Sequence, residues 1–284
     1  MLQLSLRAFA TILRPVNCAM IGFAVVVGAF VSKPPTLDAP QLLLGFLTGF
    51  AICGYSMVIN DIYDLEVDRV NQPGRPLPSG AMPMREALWL AVAMLAVGVL
   101  ASVVLLNWGA VAIAIIYAFL SWVYNYSAKK YGLAGNLIVA SSLAIPFIYG
   151  GVVTGGSVTS SLLLFMAGTA FLSGVGREIV KAMADTVGDE KRGIRSFARV
   201  HGMREAAIAG SGFFLAAVVS SLLPLALLQV STFYRYGVLV PDVVFVYLAY
   251  AVLSAPDAEG ALKVKKRALL GMLIGLIVFI GGAF

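Results

Sequence analysis

Apolar runs separated by short polar segments make up most of the chain, and nine of these runs approach the length of a membrane-spanning helix. Such a helix needs about 20 mostly apolar residues to cross the hydrocarbon core of a bilayer. Proline, glycine and charged residues end most of the runs and reverse the chain. The predicted spans are 14–31, 41–60, 87–106, 109–127, 135–154, 161–180, 206–228, 237–254 and 268–284. The pattern therefore predicts an all-α, polytopic membrane bundle of nine transmembrane helices in which residues 1–284 form one domain.

Basic residues are divided unequally between the two sets of loops. All but two of the 20 Lys and Arg residues lie at the N-terminus or in the loops and flanks that follow spans two, four, six and eight; the exceptions are Lys33 and Arg235. Because basic residues collect in cytoplasmic loops, this division predicts an integral protein of the cell membrane with a cytoplasmic N-terminus. The net charge of +6 follows from topology and from contact with anionic membrane lipids, and does not indicate a nucleic-acid partner.

Composition narrows the chemistry that such a bundle could perform. Hydrophobic residues make up 60% of the chain and charged residues 12%, which excludes a soluble globular enzyme and a disordered protein. Cys18 and Cys53 lie in apolar runs, and His201 is the single histidine. A disulfide framework, a zinc cluster and a Ser-His-Asp triad are therefore excluded, which leaves carboxylates, basic groups and hydroxyls.

Acidic residues are concentrated after spans two and six. If span two continues as a helix, Asp61, Asp64 and Asp68 lie on one face about one turn apart. Asp185 and Asp189 repeat that spacing after span six. Both segments follow the second helix of a four-helix set, which predicts two parallel four-helix repeats plus a ninth helix, with the acidic segments facing each other on the cytoplasmic side.

Carboxylates stacked at a membrane interface repel one another unless cations lie among them. Oxygen ligands of this kind suit Mg²⁺, normally together with substrate phosphates. The two segments could therefore bracket two Mg²⁺ ions and a diphosphate, although a solvated loop face is the alternative for each. Six basic residues nearby could bind the diphosphate: Arg69, Arg75, Lys129, Lys130, Arg177 and Lys181. The alternative for each is that it only sets the membrane orientation or extends its charged end to the lipid headgroups.

Several short elements of the sequence together resemble the UbiA superfamily of intramembrane prenyltransferases, over essentially the whole chain. Asn60, Asp61, Asp64 and Asp68 match the family's N-D-x-x-D-x-x-x-D element, and Asp185 and Asp189 match its D-x-x-x-D element. Tyr126 and Lys130 match its Y-x-x-x-K element, and Arg14, Pro15 and Asn17 match its R-P-x-N element. The segment 176–181 that leads to Asp185 is most similar to the archaeal digeranylgeranylglyceryl phosphate synthases within this superfamily.

The resemblance implies Mg²⁺-dependent transfer of a prenyl group from an isoprenyl diphosphate to an acceptor in the membrane. Asp64, Asp68, Asp185 and Asp189, supported by Asn60 and Asp61, are the implied metal ligands. Tyr126 and Lys130 are implied to be catalytic, and Arg14 and Asn17 are candidates for the acceptor side. For the archaeal subfamily, the transferred group is geranylgeranyl and the acceptor is geranylgeranylglyceryl phosphate, in ether-lipid synthesis.

Three other functions remain open at this point. An aromatic acceptor, such as 4-hydroxybenzoate or another quinone precursor, would be alkylated on carbon. A secondary transporter would explain the repeats, but its ionisable residues should lie near the middle of the membrane. A CDP-alcohol phosphotransferase also uses aspartates at a membrane surface, but its D-G-x-x-A-R element is missing from this sequence.

Overall fold

The computed structural model describes residues 2–191 and 193–284, and in this part of the chain every regular element is a helix. Helices satisfy their own backbone hydrogen bonds, which an apolar chain in lipid requires. A short 3₁₀ turn, Ala128–Tyr131, separates α6 from α7. The helices are α1 (Leu2–Leu13), α2 (Pro15–Val31), α3 (Ala39–Tyr63), α4 (Leu65–Asn71), α5 (Met84–Val104), α6 (Trp108–Tyr126), α7 (Leu133–Thr154), α8 (Ser161–Ala184), α9 (Thr186–Lys191), α10 (Phe197–His201), α11 (Met203–Leu227), α12 (Thr232–Gly237), α13 (Leu239–Ser254) and α14 (Ala258–Gly281).

Seven spans among the described residues are long and apolar enough to cross a membrane. They are α3, α5, α6, α7, α8, α11 and the segment Thr232–Ser254, which combines α12 and α13. Helices α1 and α2 form an eighth if the pair, bent by 51°, counts as one span. The ninth predicted span, 268–284, lies largely in α14, whose apolar part is short because Lys263, Lys265, Lys266 and Arg267 occupy its first half. The all-helical prediction is confirmed, whereas the structure supports seven or eight spans by this measure.

The predicted helical continuation of span two is interrupted once. Helix α3 ends at Tyr63 and α4 begins at Leu65, with Asp64 between them. The backbone N–H of Asp64 still donates to the carbonyl of Asn60 (2.9 Å), and that of Asp68 donates to the carbonyl of Asp64 (2.8 Å). The aspartates therefore keep close to helical spacing through the break.

Apolar side chains pack in separate clusters, and a cavity of about 780 Å³ is lined by residues from both halves of the chain. Phe214 and Leu248 belong to the cluster of the C-terminal half, and Val58 and Ala91 to that of the N-terminal half. Much of the cavity wall is apolar, for example Ile113, Leu143, Phe147 and Phe279. The bundle therefore encloses a space that suits a long apolar chain.

Helices α2 and α7 approach each other so closely that glycine is required at the contact. A Cβ atom on Gly150 would overlap the carbonyl oxygen of Val25, and one on Gly28 would overlap the carbonyl oxygen of Phe147. Small residues allow such backbone contact between membrane helices, which associate through packing. This contact fixes one wall of the cavity.

We expect Gly150→Ala to destabilise the protein by about 1–3 kcal/mol, because the added methyl group must push α2 away from α7. The midpoint of thermal unfolding in detergent measures the effect. Gly212→Ala is the matched control, since a Cβ at the exposed Gly212 in α11 has no atom within 4 Å. Equal midpoints for the two variants would contradict the close-contact interpretation.

Candidate active site

Four carboxylates from two chain segments line one end of the cavity, which we call the mouth. Asp64 and Asp68, at the junction of α3 and α4, form the first wall, and Asp185 and Asp189, at the junction of α8 and α9, form the second wall. Asp64, Asp68 and Asp189 are buried, and Asp185 has about half of its side chain exposed. The two acidic segments predicted from the sequence thus contribute to the same cavity.

Lys129 is the basic partner of Asp64. Its Nζ lies 2.8 Å from Oδ1 and 2.6 Å from Oδ2 of Asp64. Helix α6 ends at Tyr126, and the 3₁₀ turn that follows directs Lys129 toward the cavity. Nζ of Lys129 also lies 5.9 Å from the centre of the Tyr124 ring, another residue that lines the cavity.

Tyr126 and Lys130 do not meet the aspartates, so the predicted placement of this pair is corrected. A four-residue spacing aligns side chains only within an α-helix, and the 3₁₀ turn begins just after Tyr126. Tyr126 is 66% exposed and stacks on Trp122, with ring centres 5.1 Å apart. Nζ of Lys130 lies 5.2 Å from the centre of the Tyr131 ring. Lys129 and Tyr124 occupy the positions at the mouth that the sequence motif suggested for Lys130 and Tyr126.

Asp61 lies behind the first wall, where it binds two arginines. Its Oδ1 accepts hydrogen bonds from Nη2 of Arg14 (2.5 Å) and Nη1 of Arg75 (3.3 Å). Nη1 of Arg75 also donates to Oδ2 of Asp68 (2.5 Å). Asp61 is 3% exposed and lies outside the cavity lining. In this structure Asp61 holds Arg14 and Arg75 by ion pairs and does not contribute to the cavity wall.

Arg14 occupies the bend between α1 and α2. Its backbone is left-handed (φ 50°, ψ 63°), a conformation that costs a non-glycine residue about 1–2 kcal/mol. Its guanidinium donates to Asp61 and to Sδ of Met57 (2.9 Å), which offsets that cost. Arg14 and Asn17 both line the cavity.

Arg69, predicted to bind a diphosphate, points away from the mouth. It pairs with Glu66 on the same helix (2.8 Å), and 57% of its side chain is exposed. Arg75 is carried inward by the loop between α4 and α5 and lines the cavity. The sequence could not separate these two arginines, because both follow the aspartates within a few residues.

The second wall carries basic side chains from α8 and α14. Glu178 is buried and accepts hydrogen bonds from Nη1 of Arg177 and Nζ of Lys181, each at 2.9 Å. Nζ of Lys265 lies 3.5 Å from Oδ2 of Asp185, and burial lowers the pKa of the Lys265 ammonium. Arg177 and Lys181 therefore flank the buried Glu178 carboxylate, and Lys265 lies beside Asp185 on the same wall of the cavity.

Lys265 and Asn125 are among the residues at the mouth that the sequence analysis missed. Lys265 was counted only as a topology signal, and its contact with Asp185 joins positions 80 residues apart. Asn125 accepts a hydrogen bond from Nδ2 of Asn60 (2.8 Å) and lines the cavity. The sequence feature that could have identified Asn125 is its position in the last turn of span four, opposite Asn60.

The donor set at the mouth fits Mg²⁺ bound jointly with a phosphorylated ligand. Among the described residues, no group of three Asp, Glu, His or Cys side chains comes close enough to hold a metal ion alone. Mg²⁺ commonly binds one or two carboxylates and takes its other ligands from water and substrate phosphates. Separate carboxylates on two walls, with lysine and arginine between them, therefore suit a polyanionic headgroup whose apolar tail lies deeper in the cavity.

Known proteins are similar to this chain over nearly its whole length. A model of the UbiA prenyltransferase family matches residues 21–279. Digeranylgeranylglyceryl phosphate synthase of Archaeoglobus fulgidus is 39% identical over 98% of this chain and 96% of the relative. The enzyme of the same name from Methanocaldococcus jannaschii is 34% identical, with coverage of 98% and 96%.

Solved structures are also similar to this chain over nearly its whole length. One described as digeranylgeranylglyceryl phosphate synthase in membranes is 33% identical, covers 98% of both chains and has a TM-score of 0.76. A UbiA homolog from Archaeoglobus fulgidus bound to DMAPP and Mg²⁺ has a TM-score of 0.72 over 95% of this chain and 98% of its own. At 18% identity, this second structure is evidence of the fold.

We expect Arg75→Ala to loosen the loop between α4 and α5, because this side chain ties the loop to two buried carboxylates. Hydrogen exchange of the loop amides, including Met82, should become about ten-fold faster. Arg69→Ala is the control, since an exposed ion pair contributes at most about 1 kcal/mol. Similar exchange rates in both variants would show that Arg75 does not hold the loop.

Proposed function

Because the chain belongs to the UbiA prenyltransferase family, we propose that it transfers a geranylgeranyl group from geranylgeranyl diphosphate to the free hydroxyl of geranylgeranylglyceryl phosphate. It is an intramembrane prenyltransferase. The observation that carries the proposal is one cavity that joins a mouth of carboxylates and cations to an apolar interior. The names of relatives that match nearly the full length support this donor and acceptor.

We assign Asp64 and Asp68 on the first wall, and Asp185 and Asp189 on the second, as the carboxylates that hold two Mg²⁺ ions on the donor diphosphate. Asn60 supports them through its hydrogen bond to Asn125. Related UbiA structures that contain Mg²⁺ with DMAPP or GPP support the choice of metal. When bound, Mg²⁺ neutralises the negative charge that develops on the leaving diphosphate.

Basic residues of the mouth bind the same diphosphate directly. Lys129 and Arg75 approach it from the first wall, and Lys181 and Lys265 from the second. Each already lies within hydrogen-bond or ion-pair distance of a carboxylate, so each is held in place before the ligand arrives. Cations fixed in this way stabilise the diphosphate as the bond between its oxygen and C1 of the prenyl chain breaks.

The apolar wall of the cavity protects the reacting carbon from water. As the C1–oxygen bond breaks, positive charge develops on the allylic system, and side chains such as Leu143 and Phe147 exclude water that would otherwise capture it. The acceptor hydroxyl oxygen forms the new bond to C1, the diphosphate departs and the hydroxyl proton is released. The product is an ether. Arg14, in the bend before α2, and Asn17, on α2, lie on the acceptor side in this arrangement.

We also propose nine spans in one domain, arranged as two four-helix repeats and a final helix, with the mouth on the cytoplasmic side. The distribution of basic residues supports this orientation. Equivalent polar contacts support the repeats: Thr48 meets Ser102 between α3 and α5 (3.3 Å), and Thr169 meets Ser220 between α8 and α11 (3.0 Å). These are the second and third helices of each proposed set.

We expect Lys129→Ala to lower kcat about 100-fold, because a fixed cation that stabilises the leaving group is lost. Lys130→Ala should stay within about two-fold of the unmodified protein, as is usual for a surface position. Both changes remove one positive charge from the same loop, so any effect on membrane orientation is shared. Release of diphosphate in detergent measures both rates. A larger loss for Lys130→Ala would restore the sequence-based choice.

The acceptor is tested by competition between geranylgeranylglyceryl phosphate and 4-hydroxybenzoate, with geranylgeranyl diphosphate and Mg²⁺ supplied. We expect the ether lipid to exceed the prenylated aromatic product by about ten-fold or more, and chelation with EDTA to stop both reactions. Mass spectrometry separates the products. Preferential prenylation of the aromatic ring would overturn the acceptor, whereas absence of diphosphate release with either acceptor would contradict the transferase function.

A further inference from the structure

Three hydrogen-bond donors at the mouth have no partner among the described residues. They are Oγ of Ser196, Nδ2 of Asn136 and Nε of Arg177. All three residues line the cavity, and Ser196 is 2% exposed. Buried polar atoms are nearly always hydrogen-bonded, so three unpaired donors on one cavity indicate a ligand rich in acceptor oxygens.

The segment that contains Ser196 is held against the start of α7. The backbone N–H of Arg195 donates to the carbonyl oxygen of Lys130 (3.1 Å). The Cα atom of Ser196 lies 3.3 Å from the position that a Cβ on Gly132 would occupy. Gly132 is the residue before α7, and Asn136 is one turn further, with its N–H bound to the carbonyl of Gly132 (3.0 Å). Ser196 therefore lies beside the first turn of α7, which carries Asn136.

Arg177 reaches the same place from α8. Helices α7 and α8 are consecutive and antiparallel, and they meet where Ala140 lies 3.2 Å from the position that a Cβ on Gly174 would occupy. One turn closer to the mouth, α7 presents Asn136 and α8 presents Arg177. The three unpaired donors thus come from three chain segments that line the same cavity near the first turn of α7.

The chemistry of this point suits a phosphate monoester. Its described donors are a hydroxyl, an amide and a guanidinium, and the free N–H groups of the first turn of the 22-residue α7 add a site that favours anions. Ser196 precedes α10, a position where serine commonly caps a helix, yet its side chain makes no capping hydrogen bond. Its hydroxyl is therefore available to a ligand.

We propose that Ser196, Asn136 and Arg177 form a subsite for the phosphate of the acceptor lipid, adjacent to the diphosphate site. The inference rests on the proposed function, which requires a second phosphorylated ligand at the mouth. Arg14 is less suited to this role, because both terminal nitrogens of its guanidinium already donate, to Met57 and to Asp61. Arg177 uses only Nη1 for Glu178, and its Nε has no partner among the described residues. The subsite holds the acceptor headgroup so that its free hydroxyl faces C1 of the donor.

The test compares Ser196→Ala and Asn136→Ala with the unmodified enzyme, on geranylgeranylglyceryl phosphate and on geranylgeranylglycerol, which lacks the phosphate. We expect KM for the phosphorylated acceptor to rise about ten-fold in each variant, as for loss of a hydrogen bond to a charged group. KM for geranylgeranyl diphosphate should change by less than about two-fold, and rates with geranylgeranylglycerol should equal those of the unmodified enzyme.

Ser127→Ala is the matched control, because the Ser127 hydroxyl donates to the carbonyl of Val123 and Ser127 lies outside the cavity lining. An unchanged KM for the phosphorylated acceptor, or equal losses with both acceptors, would overturn the subsite. If the unmodified enzyme does not prenylate geranylgeranylglyceryl phosphate at all, the proposed function fails instead. The midpoint of thermal unfolding shows whether each variant is folded. If Ser196→Ala or Asn136→Ala does not fold, the KM values of the remaining variant test the subsite.

Discussion

Neutralisation of buried charge is the constraint on which the mouth of this cavity depends. Asp61 and Glu178 are almost fully buried, and each is bound by two basic side chains. A carboxylate left alone at such depth would cost several kcal/mol. The basic partners come from the bend before α2, the loop after α4 and helix α8, and Lys129 on the 3₁₀ turn pairs with Asp64 in the same way. Ion pairing therefore brings these otherwise separate segments to one end of the bundle.

The same pairs prepare the mouth for an anionic ligand. Lys129, Arg75 and Lys181 keep their charged ends at the cavity because carboxylates hold them there. Little side-chain entropy then remains to be lost when phosphate oxygens bind. Beyond this charged layer the wall becomes apolar, so one cavity offers charged groups at its mouth and apolar side chains at greater depth.

The sequence predicted those features that depend on local pattern. Apolar run length located the helices, and the four-residue spacing of Asp64 with Asp68 and of Asp185 with Asp189 identified both walls. The errors occurred where the chain leaves helical geometry. The 3₁₀ turn moves Lys129 rather than Lys130 toward Asp64. Lys265 pairs with Asp185 only through tertiary packing, and the spacing of residues along the sequence does not predict this contact.

Arg14 has a consequence for how this protein tolerates change. Its left-handed backbone forms the bend between α1 and α2, while its guanidinium binds Asp61, the carboxylate that also binds Arg75. Positions 14, 61 and 75 therefore share one ion-pair network, in which the effects of substitutions are not additive. Sequence variation at these three positions is then expected to be epistatic: a replacement at one becomes acceptable only in a background where the other two have already changed.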